Sequence, residues 1–270
     1  MSSHASDLEL ALDLARTAEA EILPRFRTAS VTHKPDGTEV TEADREAERV
    51  MREQLADARP DHAVLGKEFG DTGPDDAQSR WVLDPVDGTA GFTIGVPLFG
   101  TLVGLLEDGE PVVGVIHFPA LDETVYAARG EGCWFRTEEE TMPVEVDPVT
   151  TIPEATITTT ALHSSDVTAT DEQTPYRVTE LVRRAGKFRF VTDCLQHALV
   201  ARGRTHAAVD TIMSPWDIAA LVPCVREAGG VARPLDPDAE RVVYGGSLVT
   251  AGSEALFDAV QTTLRPDGLA

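Results

Sequence analysis

Apolar residues recur at intervals of three and four near the start of the chain, at Leu8, Leu10, Ala11, Leu14, Ala15, Ala18 and Ile22. That is the period of a helix with one buried face, and Pro24 marks its end. Residues 31–40 have no period and read as a short polar link around the turn Lys34-Pro35-Asp36-Gly37. Thr41 then suits an N-cap, with Glu42 and Asp44 in the first turn of a second helix running to about residue 58. A short strand is expected at 63–65 and a polar surface loop at 71–80, before the β-prone run Trp81-Val82-Leu83. That run has the profile of a strand buried on both faces, stopping at Asp84-Pro85, where proline removes a ladder donor.

Further on the period changes to that of strands. Residues 101–106 and 111–116 flank Glu107-Asp108-Gly109-Glu110, a hairpin signal with Asp-Gly at its tip. Segments 124–128 and 133–135 continue an antiparallel sheet. Residues 137–153 are acidic, bear prolines and show no period, so the lobe boundary is placed there. The expected division is a lobe over 1–145 and a second over 146–270, forming a single catalytic unit. The second lobe alternates: strand 155–160, helix 176–185, strand 188–191, helix 193–201, strand 206–209, helix 217–228 ended by Gly229-Gly230, strand 247–251 and helix 254–264. Alternation of this kind predicts an α/β sheet covered on both faces.

Composition narrows what such a fold can do. The chain has 270 residues, 42% of them hydrophobic, enough for one large or two smaller cores. No stretch reaches the roughly 18 apolar residues a membrane span needs, and the N-terminus (Met1-Ser2-Ser3-His4) lacks a signal-peptide layout. A cytoplasmic protein without a membrane partner is expected. Cys133, Cys194 and Cys224 are far apart and in no Cys-x-x-Cys arrangement, which predicts buried thiols rather than disulfides or zinc. The net charge of −23 weighs against nucleic acid or an anionic membrane as a partner, and neither is expected. It would also repel an anionic substrate, unless cations bound at a carboxylate cluster reversed the local sign.

Such a cluster is suggested by Asp84 and Asp87, three residues apart across a turn shaped by Pro85 and Gly88. Two acids that close raise each other's pKa unless a cation neutralises them, and Mg²⁺ takes oxygen ligands of this kind. Gly88-Thr89 adds bare backbone and a hydroxyl, where amides can face an anion. The same spacing also suits an acidic turn whose carboxylates cap backbone amides. Likewise Asp44 and Asp217, each in the first turn of a helix, suit dipole complementation. None of the seven histidines sits in a nucleophile motif, which argues against a serine or cysteine hydrolase.

Longer strings carry more. Asp84-Pro85-Val86-Asp87-Gly88-Thr89 resembles the Asp-Pro-Ile-Asp-Gly-Thr signature of the inositol monophosphatase family of Mg²⁺-dependent phosphatases. Val40-Thr41-Glu42-Ala43-Asp44, Gly66-Lys67-Glu68 and Trp216-Asp217-Ile218-Ala219-Ala220, continued by Glu227-Ala228-Gly229-Gly230-Val231, are similar to its other motifs, in order. The resemblance implies the layered α/β/α/β/α sandwich of sugar phosphatases, usually dimeric, acting on a small phosphorylated metabolite. It also implies two Mg²⁺ ions, and up to a third held with the help of Asp44. Glu68, Asp84 and the Val86 carbonyl would bind the first ion, and Asp84, Asp87 and Asp217 the second. Glu68 and Thr89 would orient the attacking water, with Asp84 as the shared catalytic carboxylate. The Gly88 and Thr89 amides would face the phosphate, beside Asp217. Lys67 stands where the family usually has Glu, a departure expected not to touch the ligand itself.

Two details resemble the histidinol-phosphatase branch: the run from Asp87 to Leu106, and Asp193-Cys194 in place of a Gly-Thr-Ala type of segment. A carboxylate at Asp193 would suit a substrate bearing an ammonium and an imidazole. It would equally suit a cap on the helix it begins. Inositol phosphate and fructose 1,6-bisphosphate remain open as substrates, as does a non-enzymatic member of the fold. The intact Glu68, Asp84, Asp87, Thr89 and Asp217 weigh against the last.

Overall fold

The computed structural model describes residues 4–34, 37–74, 76–168 and 176–265; Met1, Ser2, Ser3, the expected turn residues Pro35 and Asp36, and Asp75 of the 71–80 stretch lie outside them. Helix α1 (Ala5–Ile22) buries the apolar stripe read from the sequence, including Leu14, Ala18 and Ile22. A small antiparallel pair follows, β1 (Val31–His33) with β2 (Glu39–Thr41), where only a polar link was expected. Every residue of β1 is exposed, so no apolar alternation marks it in the sequence. Helix α2 (Glu42–Ala58) starts at the expected cap, Thr41, closed by Asp44 in a capping box.

Next come β3 (Ala63–Gly66), β4 (Gly70–Thr72), β5 (Ser79–Asp87), the short helix α3 (Thr89–Thr93), β6 (Gly100–Glu107), β7 (Glu110–Phe118), β8 (Glu123–Ala128), β9 (Cys133–Arg136) and β10 (Thr141–Val144). They form an eight-stranded sheet in the order β10-β9-β8-β7-β6-β5-β3-β4, antiparallel except where β3 runs parallel to β5. The β6–β7 turn carries Asp108 and Gly109, both at positive φ, as the Asp-Gly signal predicts. Strands β4 and β10 lie in segments read as irregular; both are short edge strands, β4 polar and fully exposed, and β10 only four residues long with Pro143 inside it, too short to show a clear period. Strand β5 continues through Pro85 to Asp87 rather than stopping, because the register shifts between Asp84 and Asp87 and leaves no ladder donor missing at the proline.

The remainder contains β11 (Thr156–Thr159), α4 (Val178–Arg184), β12 (Lys187–Phe190), α5 (Asp193–Ala201), β13 (Ala207–Asp210), α6 (Pro215–Ile218), α7 (Leu221–Glu227), β14 (Val231–Arg233), β15 (Leu248–Ala251) and α8 (Glu254–Leu264). Its five strands order as β12-β11-β13-β15-β14, with β11 parallel to both neighbours. Helices α1 and α2 cover one face of the large sheet through Leu14, Ala18, Met51, Trp81, Leu83 and Val103. Its other face packs on α5 and α7 through Val82, Leu102, Ile116, Leu195, Leu221 and Val222. Trp81, Val82 and Leu83 therefore alternate between two buried layers, which is why the run reads as continuously apolar. Helices α4 and α8 close the far face of the small sheet through Leu181, Leu256 and Phe257. The layers are helix, sheet, helix, sheet, helix: the α/β sandwich the motifs imply. Among the described residues, no helix is long and apolar enough to cross a membrane.

The expected helix over 217–228 is two pieces, with Ala219 and Ala220 at the joint. A Cβ on Gly104 would lie 2.8 Å from the Ala219 Cβ, and one on Gly114 would lie 2.1 Å from the Ala220 carbonyl oxygen. These two glycines, opposite each other in β6 and β7, admit the joint against the sheet. That close approach seats α6 beside the carboxyl end of β5.

Candidate active site

Three carboxylates meet at the end of β5. Asp84, Asp87 and Asp217 each offer an oxygen within 4.8 Å of the others. Asp84 and Asp87 come from the bulged end of β5, whose register shift turns both acids to the same side. Asp217 arrives on α6, where it also accepts the Ser214 N–H at 2.7 Å. The Cys194 N–H at the start of α5 donates to Asp87 at 2.7 Å, so residues far apart in sequence complete the pocket. Gly88 turns the chain at φ 83°, a left-handed conformation that favours glycine, and starts α3. Phe92 holds α3 down by packing on Phe26 and Phe99, at ring-centroid distances of 5.4 and 4.9 Å. Thr89 is thereby fixed: its hydroxyl donates to the Val86 carbonyl at 2.9 Å, with Asp44 Oδ1 at 3.3 Å. Asp44 spends its other oxygen on the Thr41 amide and hydroxyl, at 2.8 and 2.6 Å. Capping and site proximity are therefore both present in one residue.

Electrostatically the group is under strain. Burial is the largest influence on all three acids and raises each pKa. For Asp87, Asp193 and Asp217 add repulsion, and its pKa is pushed up to about 7. The donor set is all oxygen and net anionic, which fits a hard divalent cation. Thiols do not compete: Cys133, Cys194 and Cys224 are buried and unbridged, and burial pushes Cys194 and Cys224 well up.

The Gly66-Lys67-Glu68 segment differs from expectation. Lys67, a departure expected not to touch the ligand itself, projects into the cluster. Its Nζ lies 3.1 and 3.0 Å from the two Asp84 oxygens, 3.1 Å from the Val86 carbonyl and 3.4 Å from the Thr89 hydroxyl. Burial opposes its charge, but Asp84, Asp217, Asp87 and Asp44 outweigh burial and raise its pKa. Glu68 is not gathered with the other acids. It pairs with Lys34 at 2.8 Å, and burial raises its pKa against that lysine. Consecutive residues of the tight β3–β4 turn point in divergent directions, so only one of the two can face the carboxylates. The structure thus brings Lys67, rather than the expected Glu68, against the carboxylates, and a lysine amid acids was a signal for it in the sequence.

The cluster opens into a cleft of about 620 Å³, lined by Lys67, Asp87, Gly88, Thr89, Asp193 and Asp217 among others. Asp193 starts α5 at φ 45°, a strained value for a non-glycine residue. It makes no helix cap: Thr192 holds that place without a side-chain cap bond, and its hydroxyl donates to the Asp193 carboxyl. The carboxyl lies over Gly88, where a Cβ would sit 2.7 Å from Oδ2. A larger cleft of about 760 Å³ lies beyond Trp216, but no member of the carboxylate cluster lines it.

The chain matches the inositol monophosphatase family over residues 4–265. It is 42% identical over 249 residues to a histidinol-phosphatase of Chlorobaculum parvum, covering 92% of each chain. Against a histidinol-phosphatase of Mycobacterium tuberculosis the identity is 38% over 262 residues, covering 96% of this chain and 97% of the other. Among solved structures, an inositol monophosphatase from Zymomonas mobilis aligns with a TM-score of 0.82 and 28% identity, over 97% of this chain and 99% of that one.

Proposed function

This chain belongs to the inositol monophosphatase family, and on that premise we propose that it hydrolyses histidinol phosphate to histidinol and phosphate. It is a phosphomonoester hydrolase, as its relatives are. The family is Mg²⁺-dependent, and Asp84, Asp87 and Asp217 are the residues that would hold the metal. Bound there, Mg²⁺ supplies positive charge for the phosphoryl oxygens. The protein's own groups do the rest. The Gly88 and Thr89 amides at the left-handed turn face the phosphate, and the Thr89 hydroxyl, braced by Val86 and Asp44, orients the attacking water. Positioning and charge stabilisation lower most of such a barrier. Glu68 is held by Lys34 and takes no part in this reading.

The observation that carries the substrate is the placement of Asp193. Its carboxyl reaches over Gly88 into the cleft that Asp87 and Asp217 line, and Glu39 and Asp210 line the same cleft. Acids beyond the metal cluster suit a phosphate ester whose other end is cationic. The histidinol-phosphatase relatives at 42% and 38% identity support the same choice. Inositol phosphate is the second reading, favoured by the fold match to the Zymomonas mobilis enzyme.

Turnover across a phosphate-monoester panel at fixed Mg²⁺ tests the choice. Histidinol phosphate should give the highest kcat/KM. Asp193→Ala should lower it by roughly 10- to 100-fold, the loss of a charge-assisted contact, and leave inositol phosphate nearly unchanged. Equal losses on both substrates would remove Asp193 from recognition.

A further inference from the structure

We propose that the Lys67 ammonium is a resident cation, standing where the family's first divalent ion would sit, so that this chain binds one divalent ion per site rather than two. The inference rests on the phosphatase reading and narrows it. The acceptors around Lys67 Nζ are two carboxylate oxygens, a backbone carbonyl and a hydroxyl, at 3.0 to 3.4 Å. That is the all-oxygen set a hard cation takes. Two of its members, Asp84 and the Val86 carbonyl, are those the resemblance assigns to the first ion. The third expected member, Glu68, is committed to Lys34 at 2.8 Å. The cluster thus disagrees with a two-ion site: a tethered positive charge already meets the first set of ligands, and one of those ligands is turned away.

The placement of Lys67 is built by the fold around it. The turn carrying it is clamped by Glu48, which accepts the Glu68 N–H at 2.7 Å and the Phe69 N–H at 3.1 Å. Arg52 holds the same Glu48 at 2.8 Å and donates to the Gly70 carbonyl at 2.5 Å. The Lys67 N–H is itself spent on the Leu83 carbonyl of β5, at 3.2 Å. Bringing Glu68 in would break both the clamp and its pair with Lys34. The residue type matters as well. Lysine occurs only at Lys34, Lys67 and Lys187 among 23 basic residues, arginine supplying the rest. A compact ammonium can stand in for an ion among converging oxygens, whereas a planar guanidinium cannot. Asp87 and Asp217 remain able to hold one ion beside it, sharing Asp84.

Manganese alone, titrated into the full-length metal-free protein and followed by electron paramagnetic resonance, tests the assignment. The unaltered protein should take up one Mn²⁺ per chain and give the spectrum of an isolated ion. Lys67→Glu should take up two and show the broadened signal of a spin-coupled pair. Lys67→Met, which removes the charge with little change of volume, should tighten Mn²⁺ binding at the remaining site at least tenfold; it decides the matter if Lys67→Glu fails to fold. Two coupled ions in the unaltered protein, or identical titrations for all three, would overturn the proposal. The two ideas fail separately: one bound ion without turnover on any phosphate monoester sinks the phosphatase reading alone. Two coupled ions with normal turnover sink only the role given to Lys67.

Discussion

Glu48 and Asp87 are both acids withdrawn from water, and they are treated in opposite ways. Glu48, fully buried, is met by three donors at once: Arg52 Nε and the amides of Glu68 and Phe69. Its charge is paired and hydrogen-bonded, which is the condition under which a buried ion is tolerated. Asp87 shares a crowded pocket with Asp84 and Asp217, and receives one amide, from Cys194. Lys67 is the cation facing that trio, and it contacts Asp84 rather than Asp87. Burial and neighbouring acids consequently push Asp87 up to about 7. A satisfied buried acid holds structure together. An under-satisfied cluster stores a demand for positive charge that a cation or a substrate can answer.

The comparison predicts that removing the two acids will separate activity from stability. The largest effect falls on turnover. Asp87→Asn should reduce kcat on a phosphate monoester by roughly 10³-fold, equivalent to about 4 kcal/mol of barrier. Its melting temperature in metal-free buffer should hold or rise, because one repelling charge leaves a buried group. Near-normal turnover in Mg²⁺, or a collapse of the fold, would erase the distinction.

Glu48→Ala should show the reverse. Two amides lose their acceptor and Arg52 loses its carboxylate, so the fold should weaken by about 3 kcal/mol, read from urea denaturation. Glu48→Gln keeps one acceptor oxygen and should lose about half as much. If both variants melt like the unaltered protein, the clamp on the Lys67 turn contributes nothing.

The same contrast explains what the sequence disclosed. Asp84 and Asp87 were legible as a pair across the turn between Pro85 and Gly88, whereas Asp217, which alone suits a helix start, joined them only through the resemblance of its motif. The resemblance supplied the layered sandwich, but a covered α/β sheet was legible in the alternating 3.6-residue and two-residue periods. The choice between Lys67 and Glu68 was not. One position in a tight turn decides which side chain faces inward, and that depends on Glu48 and Lys34, 19 and 34 residues before Lys67 and Glu68 respectively. Strand β4 escaped notice because a polar, exposed edge needs no apolar alternation, β10 because it is four residues long and holds Pro143, and the break at Ala219 because two distant glycines admit it.

A second satisfied site offers the smallest and most selective test. His117 on β7 is nearly buried, with Nδ1 2.9 Å from the Thr124 hydroxyl and Nε2 2.8 Å from Glu19 of α1. Burial lowers its pKa below the ordinary 6.5, outweighing the pull of Glu19. The folded chain therefore binds fewer protons here than the unfolded chain, so His117 contributes stability that is present above pH ~6.5 and lost as pH falls below it. The raised carboxyls of the cluster have the opposite sign: the metal-free fold loses stability as pH rises from about 4 towards 7. The two slopes overlap between pH 5 and 7, and His117→Gln removes only one of them. The variant should lose less stability than the unaltered protein on going from pH 7 to pH 5, measured by urea unfolding in chelator. Identical pH profiles would mean that His117 keeps an ordinary pKa in the fold, and that its contacts with Glu19 and Thr124 offset its burial in full.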